Sequence, residues 1–580
     1  MLIVVNQILT LLNPGIPITL GQNKKTFVMF KNHPKGLYVL FLSNMGERFG
    51  YYTMFAILAL YLQDHFGWDE THVSSVYGWF MMGSYISAIL GGLLADMLLG
   101  YGRTVLAGIV IMTTGYLMIA QPIGASPYPV YAGLIVLSLG VGLFKGNLVV
   151  LVGNLYEKPS LNHLRDIAFN IYYMGINIGA MFAPFAATGI KDYILHSHGF
   201  TYNSAIPHIA HDLIAGNSIT VQNLERIKIF AGQTVDLIEF SHKYLDVLSR
   251  SYNWGFAIAG LAMLFSLIIF IAFRKYYKEA DYRHKEKIKT GEVKELSKKE
   301  TNNRMMALGL VFLIVIFFWV SFQQNGSTLT FFAKNYTNLK VGRFTYLLFD
   351  VFNLLAIFAL LIGLILIFNK KLDKKWKYAG AILLVVAIVF LSYRLNSIKS
   401  EMTIYPELFQ TFNPIFVVWL TPLVIGIFQY YGKKGLEPST PAKIGIGMIL
   451  AAFSFGIMIF ASIGLPSVHS IGSNAVAESL AVSPYWLISN YFTISIAELY
   501  LSPMGLSFVS KVAPPKLRGS MQAGWMAAIA IGNFLAGYVG RFYQHWELWQ
   551  FFMMLVAMSF ISAGIMFALL KIINRASKGE

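Results

Sequence analysis

The chain contains no cysteine. That excludes disulfides, thiolate metal sites and cysteine nucleophiles together. Charge is scarce as well: Asp, Glu, Lys and Arg make up 13% of the 580 residues, where an average soluble domain carries about 25%. Acids are the scarcer sign, 28 against 45 Lys and Arg. HExxH, GxSxG and phosphate-loop patterns are missing too, so an enzyme is not expected. A His group (His196, His198, His208, His211 with Asp212) lacks a fourth ligand at a definite spacing and reads as loop histidines, with no metal and no cofactor expected.

What is abundant is apolar surface, 56% of residues, with 15% aromatic. It comes in runs of about 17 to 25 residues, the length of a helix that crosses a hydrocarbon core. Such runs lie near 36–64, 74–99, 104–122, 129–153, 166–190, 253–273, 306–333, 346–368, 378–394, 411–431, 443–465, 484–508, 519–540 and 550–571. The fold class is therefore an all-α polytopic membrane protein with fourteen spans, and its partner is the lipid bilayer. The net charge of +17 raises the question of nucleic acid. Its distribution answers it: with both termini in the cytoplasm, most Lys and Arg fall in cytoplasmic segments, as the positive-inside rule requires. The excess charge records topology, and no nucleic-acid partner is expected.

The polar stretch Arg274 to Arg304 divides six spans from eight. The run pair within 346–394 reads as an insertion, because an even number of spans leaves the downstream orientation unchanged. Without it the chain is six plus six, the layout of the major facilitator superfamily, whose substrate site lies between the halves near the midplane. The expected organisation is a cytoplasmic tail 1–35, a six-helix bundle 36–273 with an outer-face insertion 191–252, a cytoplasmic linker 274–305, a second bundle 306–571 carrying the inserted pair, and a cytoplasmic tail 572–580. The turn 92-GLLADMLLGYGR-103 resembles that superfamily's signature, with Gly92, Asp96, Gly100 and Arg103 as a gating motif at the cytoplasmic surface.

Charges inside a bilayer cost about 2.5–3.5 kcal/mol each on insertion scales and mark cavities or partners. Glu47, Arg48, Lys145 and Glu498 stand inside runs. Asn44, Glu47, Arg48, Tyr51 and Tyr52 recur at spacings of three and four, so most share one helix face, expected to line the cavity. Asp350 lies near a span end, within reach of water.

Around these residues the chain resembles the proton-dependent oligopeptide transporter family. ERFGYY (47–52), GSYISAILGGLLAD (83–96), GLFKGN (142–147), FNIYYMGINIGA (169–180), FWVSFQQNGS (318–327), QTFNP (410–414), YFTISIAELYLS (491–502) and APPKLRGSMQAGW (513–525) carry the likeness in the family's order. The resemblance implies a proton symporter importing di- and tripeptides by alternating access, functional as a monomer in the bacterial inner membrane; the alternative is a family member that carries a different small metabolite or has altered or absent proton coupling. It implies a peptide ammonium near Glu498, aided by Asn177 and Asn413, a carboxylate facing Lys145, backbone contacts from Tyr52 and Tyr85, Arg48 as a further substrate-binding residue, and a wall from Trp525 with Ser502 as polar neighbour. Glu47, Arg48, Lys145 and Glu498 are the implied proton-coupling groups, with the proton as coupling ion. The sequence departs from the family pattern at three positions: Asn44 and Gln323 replace acids and Phe55 replaces an arginine. The losses at Phe55 and Gln323 look paired, since one charge without the other would be buried unpaired.

Overall fold

The computed structural model describes residues 33–578 except 123, 125, 157–159, 162–164, 233–235, 282–296, 370–371, 472–474 and 515–516. The first half consists of α1 (Lys35–Phe66), α2 (Glu70–Leu94), α3 (Tyr101–Ile119), α4 (Tyr128–Leu155) and α5 (Arg165–Ser197), then the short α6 (Ile206–Ala215) and α7 (Val221–Ala231), and α8 (Leu237–Ala272). The second half begins with α9 (Lys298–Phe322) and α10 (Thr328–Tyr336), followed by the inserted pair α11 (Val351–Phe368) and α12 (Lys374–Ser397). It continues through α13 (Phe412–Lys433), α14 (Thr440–Ser462), α15 (Tyr485–Val512), α16 (Arg518–Gly540), α17 (Leu548–Ala568) and α18 (Leu570–Lys578). Thirteen spans among the described residues are long and apolar enough to cross a membrane. Fourteen were expected; α1, 32 residues long, carries Glu47, Arg48 and Asp64 among its apolar residues and is not one of the thirteen. The protein is a multi-pass helical membrane protein.

Helices pack within each half through α1 against α5 and α8, α4 against α2 and α3, and α14 against α15 and α17. Because lipid tails are as apolar as Leu, close packing of small residues is what draws membrane helices together. The crossing of α2 with α16, which joins the halves, shows it: a Cβ on Gly78 would lie 2.9 Å from the Gly537 Cα. Around the same crossing, Arg541 Nε donates to Ser75 Oγ at 2.9 Å. This is the end of the bundle where α6 and α7 lie, the cap end. At the opposite, linker end, Tyr276 and Tyr277 follow α8, and a Cβ on Gly36 would meet the Tyr276 carbonyl oxygen at 2.6 Å. Contacts between the halves gather at the cap end, while α4 and α15 share at most marginal contact.

Several boundaries differ from those expected. The insertion expected over 191–252 is smaller, because α5 runs to Ser197 and α8 starts at Leu237. Asp236 caps α8 by accepting from the Ile238 and Glu239 amides, and its first turns bury Phe240, Tyr244 and Leu248 against Phe200 and Phe230 of the cap. The polar residues between them hid this extension from a hydropathy reading. The linker expected to 305 ends earlier, since Ser297 caps α9 by accepting from the Glu300 amide at 3.1 Å. The span expected near 306–333 contains a tight turn at Gln323–Gly326. The pair expected over 346–394 occupies 351–397, and outside it β1 (Lys340–Gly342) pairs antiparallel with β2 (Glu401–Thr403), pinching its two ends together. Asp350 caps α11 through the Asn353 amide and binds Arg394 Nη2 at 3.1 Å. The expected tail 572–580 is largely the helix α18, which buries Ile573 and Ala576; the tail up to residue 32 lies outside the described residues.

The gating motif ends α2 in a π-helical turn, Ala95–Leu99, closed by the Gly100 amide on the Ala95 carbonyl at 3.0 Å. Gly100 takes φ +78°, a left-handed conformation that glycine adopts without strain. The Asp96 side chain lies outside the described residues. Arg103 is exposed. A residue not expected, Asp281, accepts from the Gly102 amide at 2.7 Å and so places its carboxylate on the positive end of α3.

Candidate functional site

Glu498 sits midway along α15. Its Oε2 accepts from Asn413 Nδ2 at 2.9 Å, and the same amide reaches Ser495 Oγ at 3.0 Å. Asn413 is placed there by the start of α13, directly after the turn Pro406–Thr411. Among the described residues no cation pairs with Glu498. Two tyrosines of the first half, Tyr52 on α1 and Tyr173 on α5, lie within electrostatic range of it, so this acid faces across the gap between the halves.

Lys145 on α4 is the counterpart. Its Nζ lies 4.1 Å from the centre of the Tyr85 ring on α2, a cation–π arrangement that steadies an ammonium without neutralising it. Among the described residues it has no carboxylate partner either. Tyr85 and Tyr52 both lie within electrostatic range of Tyr173. Tyr52, Tyr85, Lys145, Asn413 and Glu498 are all part-exposed although they lie inside spans, and Tyr173 is 43% exposed. One acid and one base, each without an ionic partner, thus belong to opposite halves and share a group of tyrosines.

Glu47 and Arg48 behave otherwise. The two adjacent side chains form a two-pronged ion pair, Nε on Oε2 and Nη2 on Oε1, with the guanidinium 4.9 Å from the Tyr51 ring. Both are buried. A bidentate pair of this kind satisfies most of what each ion loses with its water. Asn44, one turn earlier, exchanges hydrogen bonds with Tyr172: Nδ2 donates to the carbonyl at 3.3 Å and the Tyr172 hydroxyl donates back to Oδ1 at 3.2 Å. At the third departure, Phe55 stacks on Tyr51 and meets Tyr77 at 5.0 Å between ring centres. These rings fill the space beside Gly326, where a Cβ would collide with the Tyr77 hydroxyl. Buried Gln323 stands in the same turn.

The remaining expected residues are placed differently. Asn177 donates to the Tyr173 carbonyl at 3.1 Å and makes no bond to Glu498. Ser502 Oγ is buried without a hydrogen-bond partner. Trp525, expected in the cavity wall, is 1% exposed and packs against Gly505 and edge-on to Phe312. Tyr173 and Ser495 were not singled out from the sequence, although both lie within the quoted segments FNIYYMGINIGA and YFTISIAELYLS. His208 pairs with Asp212 at 3.3 Å. His211 is not a free loop histidine: its Nε2 bonds the Asp64 carbonyl oxygen at 2.9 Å.

The family model described as the POT family matches residues 102–295 and 386–566. Among curated relatives, an uncharacterized transporter, YclF, from Bacillus subtilis is 28% identical over 95% of this chain and 96% of its own length. The peptide transporter YePEPT of Yersinia enterocolitica is 26% identical over 88% of each chain. A di-/tripeptide transporter of Lactococcus lactis is 28% identical over 88% of this chain and 89% of its own. Among solved structures, a peptide transporter POT in complex with alafosfalin aligns with a TM-score of 0.64 at 23% identity, covering 99% of both chains. A POT family transporter bound to a thioalcohol-conjugated peptide aligns at 0.64 and 20% identity over 94% and 98%.

Proposed function

The chain belongs to the POT family, and on that premise we propose that it imports di- and tripeptides with protons by alternating access. The observation that carries this reading is the pair of charges in opposite halves that find no ionic partner among the described residues: Glu498, which accepts from the neutral Asn413 amide, and Lys145, which lies over the Tyr85 ring. A zwitterionic peptide supplies the two missing partners, its ammonium to Glu498 and its carboxylate to Lys145. The tyrosines between them offer hydroxyls to the peptide backbone, and any side chain meets an aromatic surface that does not discriminate strongly. Peptide transporters among the relatives support the substrate class.

The cap end is taken as the outer face and both termini as cytoplasmic, in a bacterial inner membrane. The positive-inside distribution supports this. The halves then meet at the outer end and part at the inner one, as in an inward-facing state of the rocking cycle. Arg48 enters as part of the coupling unit with Glu47, because its Nε and Nη2 both donate to that acid. Binding a peptide ammonium at Glu498, or protonating Glu47 and so releasing Arg48, changes the charge balance between the halves. With uncharged Asn44, Phe55 and Gln323, Glu47 and Glu498 are the acids of the family-like segments that carry the proton in this reading. A monomer suffices, since the whole site lies within one chain.

Competition against uptake of labelled dialanine tests the substrate class. Free dipeptides compete, whereas N-acetylated and C-amidated ones compete at least tenfold more weakly. Equal competition by all three overturns recognition of the two termini.

A further inference from the structure

Two buried ion pairs join the halves at the cap end. Lys334 Nζ on α10 lies 2.5 Å from Asp64 Oδ1 on α1 and donates to Gln63 Oε1 at 2.7 Å. Lys191 Nζ on α5 lies 2.5 Å from Glu407 Oε1, in the turn before α13. None of the four side chains is more than 3% exposed. Buried ions are tolerated where further polar groups replace their water, and here the insertion between α5 and α8 supplies part of that replacement.

Tyr202 of the insertion places its ring centre 3.9 Å from Lys191 Nζ, with Tyr405 at 4.7 Å and Tyr252 at 5.4 Å. The ammonium stands among three rings and against one carboxylate. At the other pair, His211 of the insertion bonds the Asp64 carbonyl oxygen, while the Tyr252 hydroxyl donates to Asp64 Oδ2 at 2.7 Å. The His211 ring lies over Gly67, where φ is +67° and a Cβ would come within 3.1 Å of it. The insertion also crosses to the second half, Arg226 Nη1 donating to the Ala475 carbonyl at 3.0 Å.

Nothing equivalent exists at Phe55 and Gln323, which are uncharged and packed beside Gly326. Asp64 lies nine residues further along α1, about 13 Å nearer the cap end at the helical rise of about 1.5 Å per residue. The charged contacts between the halves are thus displaced toward the mouth, under the insertion. We propose that the described part of the insertion, residues 198–232, is a clasp that keeps the outer mouth shut by sheathing the Asp64–Lys334 and Lys191–Glu407 pairs. Outward opening then requires both pairs to part, the insertion to lift from at least one of them, and the Arg226 contact to break.

This rests on the alternating-access reading for its role in transport, but its test needs no substrate. The natural absence of cysteine allows labels at introduced sites alone: Gln121→Cys beyond α3 and Ile463→Cys beyond α14, both exposed on the cap end. Spin-label distances are measured by pulsed electron resonance on the full chain in lipid nanodiscs. The parent protein is expected to show a dominant short distance. Lys334→Met, Lys191→Met and Tyr202→Leu each raise the ratio of long to short distances at least fivefold, and the exchange Asp64→Lys with Lys334→Asp brings it back toward the parent. Tyr202→Leu keeps all four charges, so it reports on the sheath even where a charge variant misfolds. Unchanged distances in folded Tyr202→Leu and Lys334→Met proteins overturn the clasp while leaving peptide binding standing. Failed peptide competition with shifted distances does the reverse.

Discussion

Lys145 Nζ stands 4.1 Å from the centre of the Tyr85 ring, with no carboxylate beside it among the described residues. A base left unpaired inside a membrane protein is costly unless a ligand or a cavity receives it. Lys145→Gln is expected to raise KM for a free dipeptide at least tenfold and to leave the C-amidated analogue nearly unaffected. Paired uptake assays with the two substrates check this. An equal loss for both assigns Lys145 a structural role instead.

Glu498 supplies the opposite sign. Glu498→Gln preserves the shape and the Asn413 contact while removing the charge, so folding is expected to persist. The preference for free over N-acetylated dipeptides is expected to fall to less than threefold. A retained preference places the ammonium elsewhere.

The Glu47–Arg48 pair predicts an asymmetry between single and double substitutions. Removing one partner of a buried pair costs about 3–5 kcal/mol because the other ion is left stranded. Glu47→Gln is therefore expected to lower the Tm in detergent markedly, and Glu47→Gln with Arg48→Met to recover much of the loss. Proton-driven uptake stays lost in both. Thermal unfolding followed by near-ultraviolet circular dichroism separates the two effects.

Phe55 and Gln323 make the complementary case. Phe55→Arg or Gln323→Glu alone puts an unpaired charge into a packed aromatic site and is expected to destabilise. The two together are expected to recover at least half of the lost Tm. Full additivity of the losses would show that these positions do not face one another.

The cap carries a pH dependence of its own. Burial pushes His211 below the usual histidine range, outweighing the Asp64 carbonyl oxygen that favours the charged form. The groups facing it are the Asp64 carboxylate, His208 and Lys334. A lowered value means that the docked, neutral form is fully favoured above the ordinary histidine pKa of about 6.5. Its advantage is lost as pH falls from there through the lowered value. A spin label at Ser218→Cys is expected to become more mobile below about pH 6.5, and His211→Gln to flatten that response.

The apolar spans were legible, thirteen of the fourteen expected, because a lipid solvent forces long apolar runs, and hydropathy reads those directly. Glu47, Arg48, Lys145 and Glu498 were legible for the converse reason, as charges where charge is expensive. The difference between them was not. Two adjacent residues on one helix gave no sign that Arg48 turns back onto Glu47, nor that Lys145 rests on Tyr85, because both depend on rotamers and on neighbouring helices. Asp64, Lys191, Lys334 and Glu407 escaped notice because a charge at a span end ordinarily reaches water. Burial by the insertion makes them different, and the amphipathic start of α8 that anchors it blurs into the polar pattern around it. Burial of Trp525 against Gly505 and Phe312 was not legible either, since it depends on how neighbouring helices pack.

The most direct test is uptake of labelled dialanine into liposomes holding the purified protein, with the proton gradient and the membrane potential set independently. Expected is accumulation above equilibrium under an inward proton gradient, abolished in Glu47→Gln and Glu498→Gln. Uptake that never exceeds equilibrium under any gradient, in parent and variants alike, would contradict proton-coupled peptide import.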